Sequence, residues 1–223
     1  MSVTFIYRGD SVTYGTVTNL TTGKTWLDRN LGATQVATAY DDSAAYGHLF
    51  QWGRLDDGHQ DRESGSTDTQ SDTDVPGHSN FIYGSSDWRS PSNDNLWNFS
   101  YYTNLIKSAK NQGFRVPTST EWNAEMATWN SQDATGAYDS PLKLTSGGCR
   151  MYSDGTIFNV STFGYYWANT VSESPEEGYA YHMGFSSEFA DIGYFHKAYG
   201  YAVRLIYDEN LVISSPFPTH FRI

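Results

Sequence analysis

The sequence predicts an α+β fold, with two or three helices early in the chain and then a run of antiparallel strands. Three observations carry that prediction. Thr118-Ser119-Thr120-Glu121 fits a capping box, and Trp122, Met126 and Trp129 follow at helical spacing. Thr21-Thr22-Gly23 lies between two strand-like runs as a hairpin signal. From residue 142 onward, Gly147-Gly148 and Asp154-Gly155 mark reversals between short β-like segments.

Taken in order, 3–7 is a β-like run, and 12–14 is a second one across the turn Arg8-Gly9-Asp10-Ser11. Arg8-Gly9-Asp10 is read as turn residues and not as an adhesion signal. Runs 15–20 and 24–28 flank the Thr21-Thr22-Gly23 turn. Residues 43–52 resemble a short helix capped by Ser43, with Tyr46, Leu49 and Phe50 on one face. From 54 to 100 the chain is polar, and 61–74 is nearly devoid of apolar side chains. So long a loop is uncommon inside a compact domain. Trp88 and Trp97 imply that its second half packs down, so 54–100 is read as a loop insertion in a single domain over 1–207. Residues 208–223 are read as a tail. The pattern of Tyr102, Leu105, Ile106 and Ala109 predicts a helix over 101–110. Residues 201–206 alternate as a strand, with Tyr201, Val203 and Leu205 opposite Ala202, Arg204 and Ile206. Arg204 is expected to pair with Asp28 or Glu121.

Composition narrows the function. Net charge is 14 − 25 = −11, with no Lys/Arg cluster. That excludes nucleic acid, whose phosphates demand such clusters, and disfavours anionic lipid. Aromatics make up 16%, including 17 Tyr and 7 Trp. Such large rigid side chains with polar tips suit a recognition surface as well as a core. Cys149 is the single cysteine, which excludes an intrachain disulfide and a Cys-rich zinc site. Met1-Ser2-Val3 leads straight into a strand-like run, with neither a charged nor an apolar leader segment, and no stretch reaches the ~20 apolar residues of a membrane span. The expectation is synthesis in a cytoplasm without a cleaved signal, and no membrane insertion. The sequons at Asn19, Asn98 and Asn159 are then read as chance.

Chemistry is sparse. The six histidines are scattered with no nucleophile elbow, and no carboxylate pair is singled out. No enzyme is expected, the alternative being a carboxylate-based, polysaccharide-degrading one. Asp68, Asp72 and Asp74 lack the spacing of a calcium loop. No metal or cofactor is expected, the alternative being Ca2+ on loop carbonyls and carboxylates; Ser174-Pro175-Glu176 is a poor substitute for the sugar-and-calcium motif of C-type lectins.

Several motifs occur together in a recognisable order. Lys24-Thr25-Trp26-Leu27-Asp28-Arg29-Asn30-Leu31 resembles the opening "TWM-x-x-NL" of the Fibrobacter succinogenes major paralogous domain family. Tyr46-Gly47-His48-Leu49-Phe50-Gln51-Trp52-Gly53 is similar to its "YG-x-x-Y-x-W" element. Gly113-Phe114-Arg115-Val116-Pro117-Thr118-Ser119-Thr120-Glu121-Trp122 is similar to its "GWR-x-P-T-x-x-EW" motif. Gly164-Tyr165-Tyr166-Trp167-Ala168-Asn169 and Gly200-Tyr201-Ala202-Val203-Arg204 resemble its "xFWSS" and "G-x-SVRC" signatures. The resemblance spans about residues 16–206. It implies a C-type-lectin-like fold, related to formylglycine-generating enzymes and to variable phage receptor-binding proteins. Asn111 and Leu205 stand where the family often has cysteine. With one cysteine, the cysteine-pair chemistry of the formylglycine-generating enzymes lacks its ligands.

Trp26, Trp52, Pro117, Trp122 and Arg204 are read as structural anchors. Residues 179–199 also hold Phe189 and Phe195, too many rings for one buried face, and alternation along a strand would expose about half of them. In the variable phage proteins the segment before the closing strand is the displayed surface. Carried onto 166–199, the resemblance implies a ligand-binding face of Tyr166, Trp167, Asn169, Tyr179, Tyr181, His182, Phe185, Tyr194, His196 and Tyr199. The function expected is a non-catalytic virion appendage, a receptor-binding, spike or decoration protein holding host surface glycan or protein. Its tail, with Leu211-Val212-Ile213 and Phe217-Pro218, would dock other virion proteins or a symmetry mate, giving a homo-oligomer such as a trimer. A bacterial cell-surface adhesion module is the alternative.

Overall fold

The computed structural model describes residues 1–97, 109, 112–173 and 178–211. The helix expected over 101–110 (Ala109 apart), the sequon at Asn98, Ser174-Pro175-Glu176 and residues 212–223 of the tail lie outside the described residues.

The fold is mixed α+β with mostly antiparallel sheets and few helices. A five-stranded sheet runs in the order β1 (Ser2–Tyr7), β2 (Asp10–Thr18), β3 (Thr25–Leu27), β14 (Ile206–Tyr207), β7 (Phe114–Arg115). Its first hairpin closes through Arg8 and Gly9, at φ 53° and 87°, the positive values a two-residue turn of this hand requires. Its closing strand comes from the far end of the chain and pairs Ile206 with both Trp26 and Arg115.

A second sheet is a meander of β10 (Gly164–Val171), β11 (Tyr179–Phe185) and β12 (Ala190–His196), with β12 on its outside. A third holds β4 (Phe50–Gln51), β13 (Gly200–Tyr201), β8 (Cys149–Arg150) and β9 (Ile157–Phe158). Helix α1 (Ser119–Met126) begins at Thr118, whose hydroxyl accepts from the Glu121 N–H while the Glu121 carboxylate accepts from the Thr118 N–H. This is the capping box read from the sequence. Helix α2 (Ala134–Asp139), capped by Asp133, was not anticipated.

Two expectations about elements fail. Residues 43–52 form no helix: a single 3₁₀ turn covers Ser43–Ala45, its cap is Asp42, and 50–51 is strand β4. Gly47 explains the break. Its φ is 70°, outside the helical range, and a Cβ there would overlap the Leu31 carbonyl. Nor does 201–206 alternate. It is strand only at 200–201 and 206–207, and every residue from Gly200 to Ile206 is buried.

Four indoles of the core donate their N–H groups to backbone carbonyls. Trp167 donates to Phe50 O (2.7 Å), Trp52 to Ala168 O (2.8 Å), Trp88 to Trp52 O (2.7 Å) and Trp122 to Trp167 O (3.1 Å). Each bond satisfies a polar atom that burial would otherwise penalise by about 1–3 kcal/mol. Trp26 packs on Trp122 with ring centres 4.8 Å apart. Trp26, Trp52, Pro117, Trp122 and Arg204 are all buried. Arg204, however, pairs with neither carboxylate expected of it. It donates to Asn30 Oδ1 (3.0 Å), Leu27 O (3.1 Å) and Leu142 O (2.8 Å). Glu121 is taken by Arg115 (2.7 Å), and Asp28 by Arg29 (2.7 Å).

The polar stretch that begins at residue 54 is tied down chiefly by hydrogen bonds. Within it β5 (Ser66–Thr67) and β6 (Phe81–Ile82) pair in parallel. Buried Arg54 donates to Asp57, Gln51, Asn80 O and His78 O. Trp88 and Trp97 enter the core, as the sequence implied.

Candidate functional site

The β10–β11–β12 sheet brings part of the expected face together and hides the rest. Successive side chains on a strand point to opposite faces. In the register Tyr179↔His196, Tyr181↔Tyr194 and Met183↔Ile192, these six side chains share one face. Its inner end, with Tyr166, Met183 and Phe185, belongs to the same buried cluster as Trp122 and Met126 of α1. The outer end runs beyond it.

Four rings tile that outer end. Tyr181 meets Tyr194 edge-on at 5.8 Å, Tyr194 meets Tyr179 at 6.0 Å, and Tyr179 meets His196 at 4.7 Å. The Tyr179 hydroxyl and His196 Nε2 are 2.8 Å apart in a hydrogen bond. Tyr152, from the β8–β9 connection, adds a fifth ring at 4.2 Å from His196 and 4.9 Å from Tyr199. Tyr194 is 50% exposed; its neighbour Phe195, turned to the opposite face, is 45% exposed. Tyr199 contacts Phe195 at 5.6 Å, so the rings continue around the end of the sheet. Burial pushes the Tyr199 phenol up to about 12, which keeps it protonated and able to donate at neutral pH.

Four of the expected ligand residues are not available to a ligand. Tyr166 is buried, its hydroxyl donating to Thr145 O (2.9 Å) and accepting from Thr145 N (2.8 Å). Trp167 is buried and donates to Phe50 O. Phe185 fills the space left by Gly164 and stacks on Tyr166 at 5.9 Å. His182 is enclosed by Tyr165, Trp167, Phe195 and Tyr201, and desolvation lowers its pKa from 6.5 to about 4. Tyr166 and Trp167 on β10 and His182 and Phe185 on β11 lie where buried side chains pack on both faces of the sheet. Asn169 is half-buried on β10, two strands from the exposed edge, and its backbone N–H donates to Pro117 O. Tyr179, Tyr181, Tyr194, His196 and Tyr199 do assemble.

Sequence reasoning left out Tyr152, Phe195 and Phe189 as site residues. Nothing local marks Tyr152, which is brought in by a different sheet. Phe195 and Phe189 were legible as part of the aromatic excess, and both are exposed.

Among the described residues no group of three or more His, Cys, Asp or Glu could hold a metal ion. Asp74 of the acidic stretch pairs with Arg89 at 2.7 Å. Burial pushes the Cys149 thiol up to about 12, so it carries almost no thiolate at neutral pH. Among the described residues no helix is long and apolar enough to cross a membrane. No family model, curated protein or solved structure matches this chain.

Proposed function

We propose that this protein is a non-catalytic binding module with a C-type-lectin-like fold, an appendage of a bacterial virus that attaches to host surface glycan or protein. The observation carrying the reading is the ring tile Tyr179–Tyr181–Tyr194–His196, with Tyr152 and Tyr199 beside it, at the outer strand of a small sheet. Rings held edge to face by their neighbours lose little freedom on binding, and phenol hydroxyls supply adaptable hydrogen bonds. The C-type-lectin-like reading draws support from a sheet that takes strands from both ends of the domain and from the small meander beside it.

The binding test is attachment of the purified chain to host cells. Tyr194→Ala combined with His196→Ala is expected to abolish attachment while the circular-dichroism melt stays within a few degrees of the parent. Attachment that survives both substitutions removes this face from consideration. The virion placement is tested separately by mass spectrometry of purified particles, where absence of the chain refutes it.

A further inference from the structure

We propose that a saccharide site lies in the cleft beneath the β1–β2 hairpin. The cleft encloses about 660 Å3 and shares no residue with the aromatic edge of β12. That volume falls within the range of about 300–1,000 Å3 typical of small-molecule sites. The inference stands on the cleft's own chemistry and does not need the β12 reading.

Its charges are already compensated. Arg29 grips Asp28 through Nε (2.7 Å) and a terminal nitrogen (3.0 Å), and Asp28 also accepts from the Gly15 N–H (3.0 Å). Arg8 pairs with Asp61 at 3.0 Å. The charged residues of the lining are Arg8, Arg29 and Asp10; with the ion-pair partners Asp28 and Asp61 counted, two positive groups meet three negative ones, 2 − 3 = −1. A phosphate or sulfate would therefore find no surplus cation.

A hydroxyl-rich ligand fits better, because each hydroxyl both donates and accepts. The Tyr14 hydroxyl accepts from the Gly32 N–H (3.0 Å), and among the described residues its own proton has no acceptor. The Tyr14 ring is fixed between the Arg29 guanidinium, 4.9 Å from its centre, and the edge-on ring of Phe5 at 5.3 Å. His48 Nδ1 lies 2.5 Å from the Tyr7 hydroxyl. Burial, reinforced by Arg8, brings His48 down from 6.5 to about 4, so the imidazole is neutral at physiological pH. In the tautomer whose Nδ1 accepts from Tyr7, Nε2 carries the proton and is the donor the ring offers. An immobilised Arg–Asp pair, a phenol, a neutral imidazole and the rim residue Thr34 give a fixed set of donors and acceptors with no net call for an ion. This set selects a neutral sugar.

The test is titration of the full chain, followed by amide NMR, with the methyl glycosides of glucose, galactose, mannose, rhamnose and N-acetylglucosamine, and separately with inorganic phosphate. At least one glycoside is expected to shift the amides of Gly32, Ala33 and Thr34 with millimolar affinity. Tyr14→Phe should weaken that binding about tenfold, the effect of losing one well-placed hydrogen bond. Tyr194→Ala should leave it unchanged, which separates this site from the β12 face. Arg8→Gln, on the exposed hairpin turn, serves as the second variant if Tyr14→Phe disturbs the fold, and should also weaken binding. The proposal is overturned if no glycoside moves these amides, if phosphate alone does, or if neither cleft variant weakens the sugar.

Discussion

Burial holds the imidazoles of His59 and His182 at pKa values of about 4, against an ordinary 6.5. His59 is fixed as a neutral tautomer, its Nε2 accepting from the Gln51 N–H (3.0 Å) and its Nδ1–H donating to Asp57 (2.7 Å). A depressed folded pKa stabilises the native state above the unfolded value, and that stability drains away as pH falls from about 6.5 toward 4. Each of these two shifts corresponds to about 3 kcal/mol. The melting temperature is therefore expected to drop steeply across that window, and a flat profile from pH 7 to 4 would refute the assignment. Glu125 runs the other way. Desolvation raises its pKa, so its contribution is complete below about pH 4.5 and is lost as pH climbs through the raised value. Glu125→Gln should stabilise the protein at neutral pH and leave its stability near pH 4 almost unchanged, which urea unfolding at the two pH values would measure. Arg204 shows what a sequence can and cannot disclose about one side chain. Its inclusion among the anchors was read from the sequence. Its partners were not, because two of the three are carbonyl oxygens, which every residue carries.

Elements defined by local chemistry were the most legible. The Thr118–Glu121 box uses atoms three residues apart, so the sequence contains the whole motif. Thr118→Ala should lower stability by about 1 kcal/mol, read from the denaturation midpoint. The misread 43–52 segment had the right apolar spacing, but those residues are buried by a turn and a strand. Gly47 was the overlooked sign. Gly47→Ala should cost more than about 1 kcal/mol, since it combines a positive φ with overlap on the Leu31 carbonyl. A parent-like midpoint for that variant would remove the explanation. The meander was legible as strands, but which of its rings face water was not. That depends on what α1 and Tyr201 cover, and neither is local to 179–199.

At the scale of the molecule, the stretch from residue 54 is anchored through Lys197, a buried ammonium just before the final strands. It forms ion pairs with Asp94 and Asp87, the latter at 3.9 Å, and lies 4.7 Å over the Trp52 ring. Lys197→Ala would strand the buried Asp87 carboxyl and leave Trp52 uncovered. It should cost several kcal/mol and raise protease cleavage around 87–94, visible as earlier fragments on a gel. The sequence recorded the polar character of that stretch but not its attachment, which spans about a hundred positions.

The closing strand has a consequence for how the protein is made. Ile206 bridges Trp26 and Arg115, so the largest sheet stays divided until residue 206 has left the ribosome. Until then the growing polypeptide carries its early tryptophans without their final neighbours. Such a topology folds slowly, and it exposes the unfinished chain to aggregation or to helper proteins in the meantime.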